Sequence, residues 1–195
     1  MRHISLIALT ALLTTFILSG CTPAIIGGAT VGAGAIHDRR STGAVIDDQT
    51  IELKALSRFF NDNQISSSTH INVTAYNGII LLTGEAPSES LRNKAVSLVR
   101  TIPKVRKIHN EISLSAPSAM IARSSDSYIT SKVKVSLFGI QDIKGFDPTR
   151  VKVVTEDGTV YLMGLLWPIE EQAVVEMTRR VGGVQRVVKL FEHIE

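Results

Sequence analysis

The chain has 195 residues, enough for one ordinary domain or two small ones, with Lys+Arg 21 against Asp+Glu 18 and a net charge of +3. So slight a positive balance, with 5% aromatic residues and no basic tract, argues against a nucleic-acid binder built on cations and stacking rings. Cys21 is the single cysteine, so an internal disulfide is excluded.

At the N-terminus, Arg2 and His3 precede the apolar run ISLIALTALLTTFIL, which ends in LSGC at 18–21. A charged start, an apolar middle and the small residues Ser19 and Gly20 before Cys21 read as an export signal over 1–20, not as a membrane span. LSGC resembles the lipobox of bacterial lipoproteins. That resemblance implies that Cys21 becomes the mature N-terminus and carries covalent acyl chains such as palmitate. With Thr22 in place of Asp, it also implies passage to the outer membrane. The other reading of these residues is an ordinary signal peptide with a spare cysteine.

The stretch after Cys21 is rich in Gly, Ala and Thr without a helical or strand period, and it predicts a lipidated N-terminus and flexible tether over 21–46. Its glycines have no strand before them and no GK[ST] after them, so they do not form a phosphate loop.

An internal repeat follows. INVTAYNGIILLTG at 71–84 aligns with VKVVTEDGTVYLMG at 151–164, matching Gly78 to Gly158, Leu82 to Leu162 and Gly84 to Gly164. Asn77-Gly78 and Asp157-Gly158 are two-residue hairpin turns, because both central positions need positive φ. A helical period comes next in each copy, through Leu91, Ala95, Leu98, Val99 and Ile102, then through Val174, Met177 and Val181. Ser88 and Pro168 mark the starts, and Pro103 and Gly182-Gly183 the breaks. Short β-like runs close the copies at 105–112 and 184–194, and one more helix precedes each hairpin, around 48–60 and 126–138.

This order resembles the BON domain, a small module of bacterial envelope proteins, on INVTAY, LLTGEAP, YITSKVK and VYLMGL. Two copies behind a lipobox resemble the dual-BON-domain lipoproteins of the outer membrane. The resemblance implies an α+β fold of two tandem BON domains, each αββαβ, with a small three-stranded mixed sheet packed on two helices. The expected plan is a signal at 1–20, a tether at 21–46, BON domain 1 at 47–115, a linker at 116–124 and BON domain 2 at 125–195. It also implies a periplasm-facing protein that binds anionic phospholipid such as phosphatidylglycerol, supports envelope integrity and gathers at division sites.

Chemistry is sparse. The five histidines, His3, His37, His70, His109 and His193, show no local metal spacing, and no GxSxG elbow appears. No catalytic residue, metal or cofactor is expected. Glu85 and Glu89, like Glu170 and Glu171, are read as charges near helix starts, where they meet the positive end of the dipole. Gly78, Gly84, Gly158 and Gly164 are read as structural glycines of turns and tight connections.

On the helix near 126–138, Ile129, Val133, Leu137 and Ile140 form a core stripe, while Tyr128, Val135 and Phe138 project elsewhere beside Lys132 and Lys134. In the first repeat Ile51, Ala55 and Phe59 match the stripe, and Leu53, Leu56 and Phe60 form a second apolar side. There, Asp47, Asp48 and Glu52 are expected to repel an anionic surface. The family places lipid binding on the first helix of the second repeat, through a Trp. This implies a phospholipid-binding face of Tyr128, Lys132, Lys134, Val135 and Phe138, with Tyr128 at the family's Trp position. Trp167 is a rival anchor or a ring packed over a core end. The alternative use of the same faces is an envelope protein partner or self-association.

Overall fold

The computed structural model describes residues 38–117 and 120–194. The signal at 1–20, Cys21 and the tether as far as residue 37 lie outside the described residues.

The first repeat opens with α1 (Thr42–Asn61), whose N-cap Ser41 accepts a hydrogen bond from the Ala44 N–H. It ends at Asp62, whose carboxylate accepts from Gln64 and Ile65 N–H and so starts the short α2 (Asn63–Ser68). β1 (His70–Tyr76) and β2 (Ile79–Ala86) pair antiparallel, from His70 opposite Glu85 to Tyr76 opposite Ile79. α3 (Glu89–Arg100), capped by Ser88, crosses back so that β3 (Lys107–Asn110) lies parallel to β2. The run expected at 105–112 is divided: β4 (Ser113–Leu114) resumes on the same partner, β2, two residues further on. The Ile112 side chain is buried in between.

The second repeat holds α4 (Met120–Leu137), β5 (Lys152–Glu156), β6 (Thr159–Leu166), α5 (Pro168–Arg179) and β7 (Arg186–His193). β5 pairs antiparallel and β7 parallel with β6, giving the order β5-β6-β7. Each repeat is thus an α+β unit with a small mixed sheet.

Both hairpins turn as their sequences demand. Asn77 and Gly78 have φ of 50° and 73°, Asp157 and Gly158 of 47° and 66°, the positive pair of a type I′ turn. One aspartate on each first helix holds its turn. Asp48 accepts from the N–H groups of Asn77 (2.6 Å) and Gly78 (2.8 Å), and Asp126 from those of Asp157 (2.9 Å) and Gly158 (3.0 Å). Gly84 and Gly164 are not in turns but inside β2 and β6. A Cβ on Gly84 would lie 2.0 Å from the His70 carbonyl oxygen, so the neighbouring strand is what requires glycine there.

Alternation along the central strands separates three apolar clusters. Ile80 and Leu82 face Ile51, Ala55 and Phe59 of α1; Val160 and Leu162 face Ile129, Val133 and Leu137 of α4. The intervening Ile79 and Leu81 meet Tyr161, Met163 and Leu190 in a third cluster between the two sheets. Adjacent strand residues point to opposite faces, so residues 38–194 build a helix–sheet–sheet–helix sandwich with α1 and α4 in opposite outer layers. Polar links close the seam: the Leu165 N–H donates to the Tyr76 hydroxyl at 3.2 Å, and Lys152 pairs with Glu52 at 2.8 Å.

The last residues of the stretch expected as tether are ordered into the fold. Residues 42–46 are already in α1, and Arg39 and Arg40 just before it are fixed. Arg39 donates to both carboxylate oxygens of Glu170 and, at 3.1 Å, to the Leu165 carbonyl. Arg40 lies 3.9 Å from the Tyr76 ring centre and pairs with Asp48 at 2.8 Å. Two adjacent arginines therefore grip one repeat each.

Candidate functional site

The outer face of α4 carries the expected cluster. Ile129, Val133 and Leu137 are buried, whereas Tyr128, Val135 and Phe138 are 66%, 71% and 63% exposed. At 100° per residue the exposed three point almost directly away from the core stripe. Lys134 is exposed among them. Lys132 is half-buried, with its ammonium 5.0 Å from the Tyr128 ring centre and donating to the Gly182 carbonyl just past the end of α5. It thus stiffens the face and presents Tyr128, while Lys134 is exposed and, among the described residues, forms no ion pair. Asp126, the acidic residue at the head of this surface, is buried with both carboxylate oxygens on the β5–β6 turn.

Trp167 belongs to none of the three apolar clusters and is 42% exposed at the N-cap of α5, so the reading of a ring packed over the core is set aside. Ile169, two residues on, is also exposed, a site that the sequence pattern did not single out because one apolar residue at a helix start has no periodic partner.

The acids expected to repel anions from the first repeat are all engaged. Asp48 is buried on its turn and on Arg40, Glu52 accepts from the Ala75 N–H and from Lys152, and Asp47 pairs with Lys104 at 2.6 Å. The exposed apolar residues of α1, Ile46, Leu53, Leu56 and Phe60, are flanked by Gln49, Thr50 and Ser57, exposed and uncharged, with the exposed Lys54 further round the helix. At the positions that border each stripe the contrast is neutral against cationic, not acidic against basic.

The carboxylates read as helix-start charges divide. Glu89 begins α3, and Glu170 sits at the third position of α5, accepting from the Trp167 N–H at 2.9 Å. Burial pushes the Glu170 carboxyl up, but the Arg39 hydrogen bonds, the Trp167 N–H and the Arg39 charge outweigh it, and the net shift is downward. Glu171 pairs with Lys189 at 2.8 Å. Glu85 is instead inside β2, buried, and its Oε2 has no hydrogen-bond partner among the described residues.

A cleft of about 430 Å³ between the repeats is lined by His70, Asn72, Asp126, Thr130 and Glu156. Asp126 is spent on the turn, and the Asn72 amide donates to Glu156 at 3.2 Å. Among the described residues no group of three or more His, Cys, Asp or Glu is placed to hold a metal, and no helix is long and apolar enough to cross a membrane.

The BON domain pattern matches residues 47–116 and 125–193. An outer membrane lipoprotein, DolP of Haemophilus influenzae, is 33% identical over 93% of this chain and 92% of its own. The chain belongs to the dual-BON-domain outer-membrane lipoprotein family. A protein described as a 21 kDa hemolysin, from Actinobacillus pleuropneumoniae, is 36% identical over 81% of this chain and 80% of its own. Among solved structures, the C-terminal domain of CdsD, a structural protein of the Chlamydia trachomatis type III secretion system, aligns at 12% identity and a TM-score of 0.30, covering 76% of this chain and 67% of that one.

Proposed function

We propose that the protein is a non-catalytic lipoprotein of the outer membrane, anchored by acyl chains on Cys21 and facing the periplasm, whose second BON domain docks on anionic phospholipid through the α4 face. The observation that carries this reading is the outward apolar triad Tyr128, Val135 and Phe138 with the exposed Lys134 beside it and the nearby acid, Asp126, buried. Burying such a face contributes about 25 cal/mol per Å² of apolar area, and a lysine close to anionic headgroups adds about 1 kcal/mol. Neither contribution is large. A lipid on Cys21 makes contact with the bilayer intramolecular, so a weak face suffices to respond to lipid composition. Tyr128 supplies an apolar ring with a polar tip suited to the headgroup region. Envelope integrity, with enrichment where anionic lipid concentrates at division sites, is the cellular role that follows.

Flotation with vesicles tests the reading. The unacylated chain, carrying Cys21→Ser, should float with phosphatidylglycerol vesicles and remain at the bottom with phosphatidylcholine, and added salt should weaken the binding. Equal recovery with the two vesicle types would defeat it.

A further inference from the structure

The outer face of α1 has a spacing that the docking of α4 does not use. Ile46, Gln49, Leu53, Leu56 and Phe60 are all exposed, and their intervals of three, four, three and four residues are those of the a and d positions of a heptad. The helix core is served by a different set, Asp48, Ile51, Ala55 and Phe59. A helix of this length needs one apolar stripe to pack on its sheet, so the second, in coiled-coil register, is left for another helix.

Tyr128, Ser131, Val135 and Phe138 on α4 have the same register, and the flanking positions separate the two helices. In α4 those positions hold Lys132 and Lys134, which would oppose like charges across a seam between two copies. In α1 they hold Thr50 and Ser57 on one side, and on the other Glu52 and Phe59, the first neutralised by Lys152 and the second buried. We infer that the a/d seam of α1, centred on Leu53 and Leu56, is a self-association face through which two copies of this chain pair helix to helix.

The opposite placement of α1 and α4 in the sandwich makes this compatible with a membrane on α4. With Leu53 at 69% and Phe60 at 80% exposure, the four apolar residues offer on the order of 450 Å² per copy, which lies at the weak end of specific interfaces. Confinement of lipid-anchored copies to one surface compensates by raising their effective concentration. The pairing does not rest on lipid binding by α4.

The test is cysteine cross-linking of the mature lipidated chain in its own membranes. Leu53→Cys should give at least tenfold more covalent dimer than Gln172→Cys, an exposed control on α5 outside both faces, or than the parent chain. Adding Phe60→Glu to Leu53→Cys should return the yield to that of the control while the melting temperature is kept, since both positions are exposed. Equal cross-linking at 53 and 172 would overturn the inference. So would a dimer that persists with Phe60→Glu, or weaker binding of Leu53→Glu to phosphatidylglycerol vesicles without any dimer, which would make α1 a membrane face instead.

Discussion

The first helices of the two repeats share a plan and differ in what surrounds their outward faces. Both bury a stripe on a hairpin, both give an aspartate to that hairpin's turn, and both leave large apolar side chains in solvent. Around α1 every acid is engaged, and the exposed stripe is bordered by Thr50 and Ser57 on one side and the paired Glu52 on the other, with Lys54 further round the helix, whereas α4 borders its stripe with lysines on both sides. The lesson is that a duplicated module keeps the interactions that fold it and diverges where nothing in the fold constrains the side chain. The partner of an exposed apolar face is then selected by the charge at its edges.

The largest effects should come from the aspartates. Asp48→Ala removes the acceptor for two turn N–H groups and one of the two carboxylates on the Arg40 guanidinium, which keeps Asp38 at 2.6 Å, so a loss of about 2–4 kcal/mol is expected. Asp126→Ala, with the turn alone, should cost about 1–3 kcal/mol. Denaturant unfolding of the two variants gives the difference directly, and equal losses would show that Arg40 adds nothing to the first repeat.

Glu170→Ala should cost about 2–4 kcal/mol, because among the described residues it leaves the part-buried Arg39 with the Leu165 carbonyl alone. The Glu170 carboxyl titrates below its ordinary range in the folded chain. Its contribution is therefore present above the unfolded value and lost as pH falls through the folded one, so the melting-temperature gap between parent and Glu170→Gln should narrow in acid.

Next in size is the electrostatic contrast. Lys134→Glu should weaken binding to phosphatidylglycerol vesicles by roughly tenfold or more, on about 1 kcal/mol for each unit of charge near the surface. Lys54→Glu on α1 should leave binding within a factor of about two.

The smallest effect concerns Glu156 in the cleft. Burial pushes its carboxyl up, against hydrogen bonds from Asn72 and Thr83, and the neighbouring Glu85 and Asp126 add to the rise. A raised folded value means that stability is full below the unfolded value and declines as pH climbs through the folded one. Glu156→Gln should accordingly raise the melting temperature modestly at neutral pH and leave it unchanged near pH 3.

Much of the fold was legible because its signals are local. Asn77-Gly78 and Asp157-Gly158 impose a turn by their own backbone preferences, and the stripes Ile51, Ala55, Phe59 and Ile129, Val133, Leu137 follow the helical period. What escaped depends on distance in the chain. Asp48 looked like a surface charge because its turn partners lie 29 and 30 residues away, and nothing local to Asp126 pointed to a turn 31 and 32 residues on. Arg39 looked like tether because Glu170 is 131 residues further on. The packing of Ile79 and Leu81 on Tyr161 and Met163 could not be read from strands that alternate into two apolar faces. On the candidate face, exposure of Tyr128, Val135 and Phe138 followed from helical geometry, but the tie from Lys132 to Gly182 required the neighbouring helix.

The central claim is that the edges of these two apolar faces assign only α4 to the bilayer. Co-sedimentation of the unacylated chain, carrying Cys21→Ser, with phosphatidylglycerol vesicles tests it on matched pairs of substitutions at exposed positions. Tyr128→Glu with Phe138→Glu should abolish binding while the far-UV circular dichroism and melting temperature stay with the parent, and Leu53→Glu with Phe60→Glu should bind as the parent does. Full binding by the α4 pair, or loss of binding by the α1 pair alone, would contradict the account.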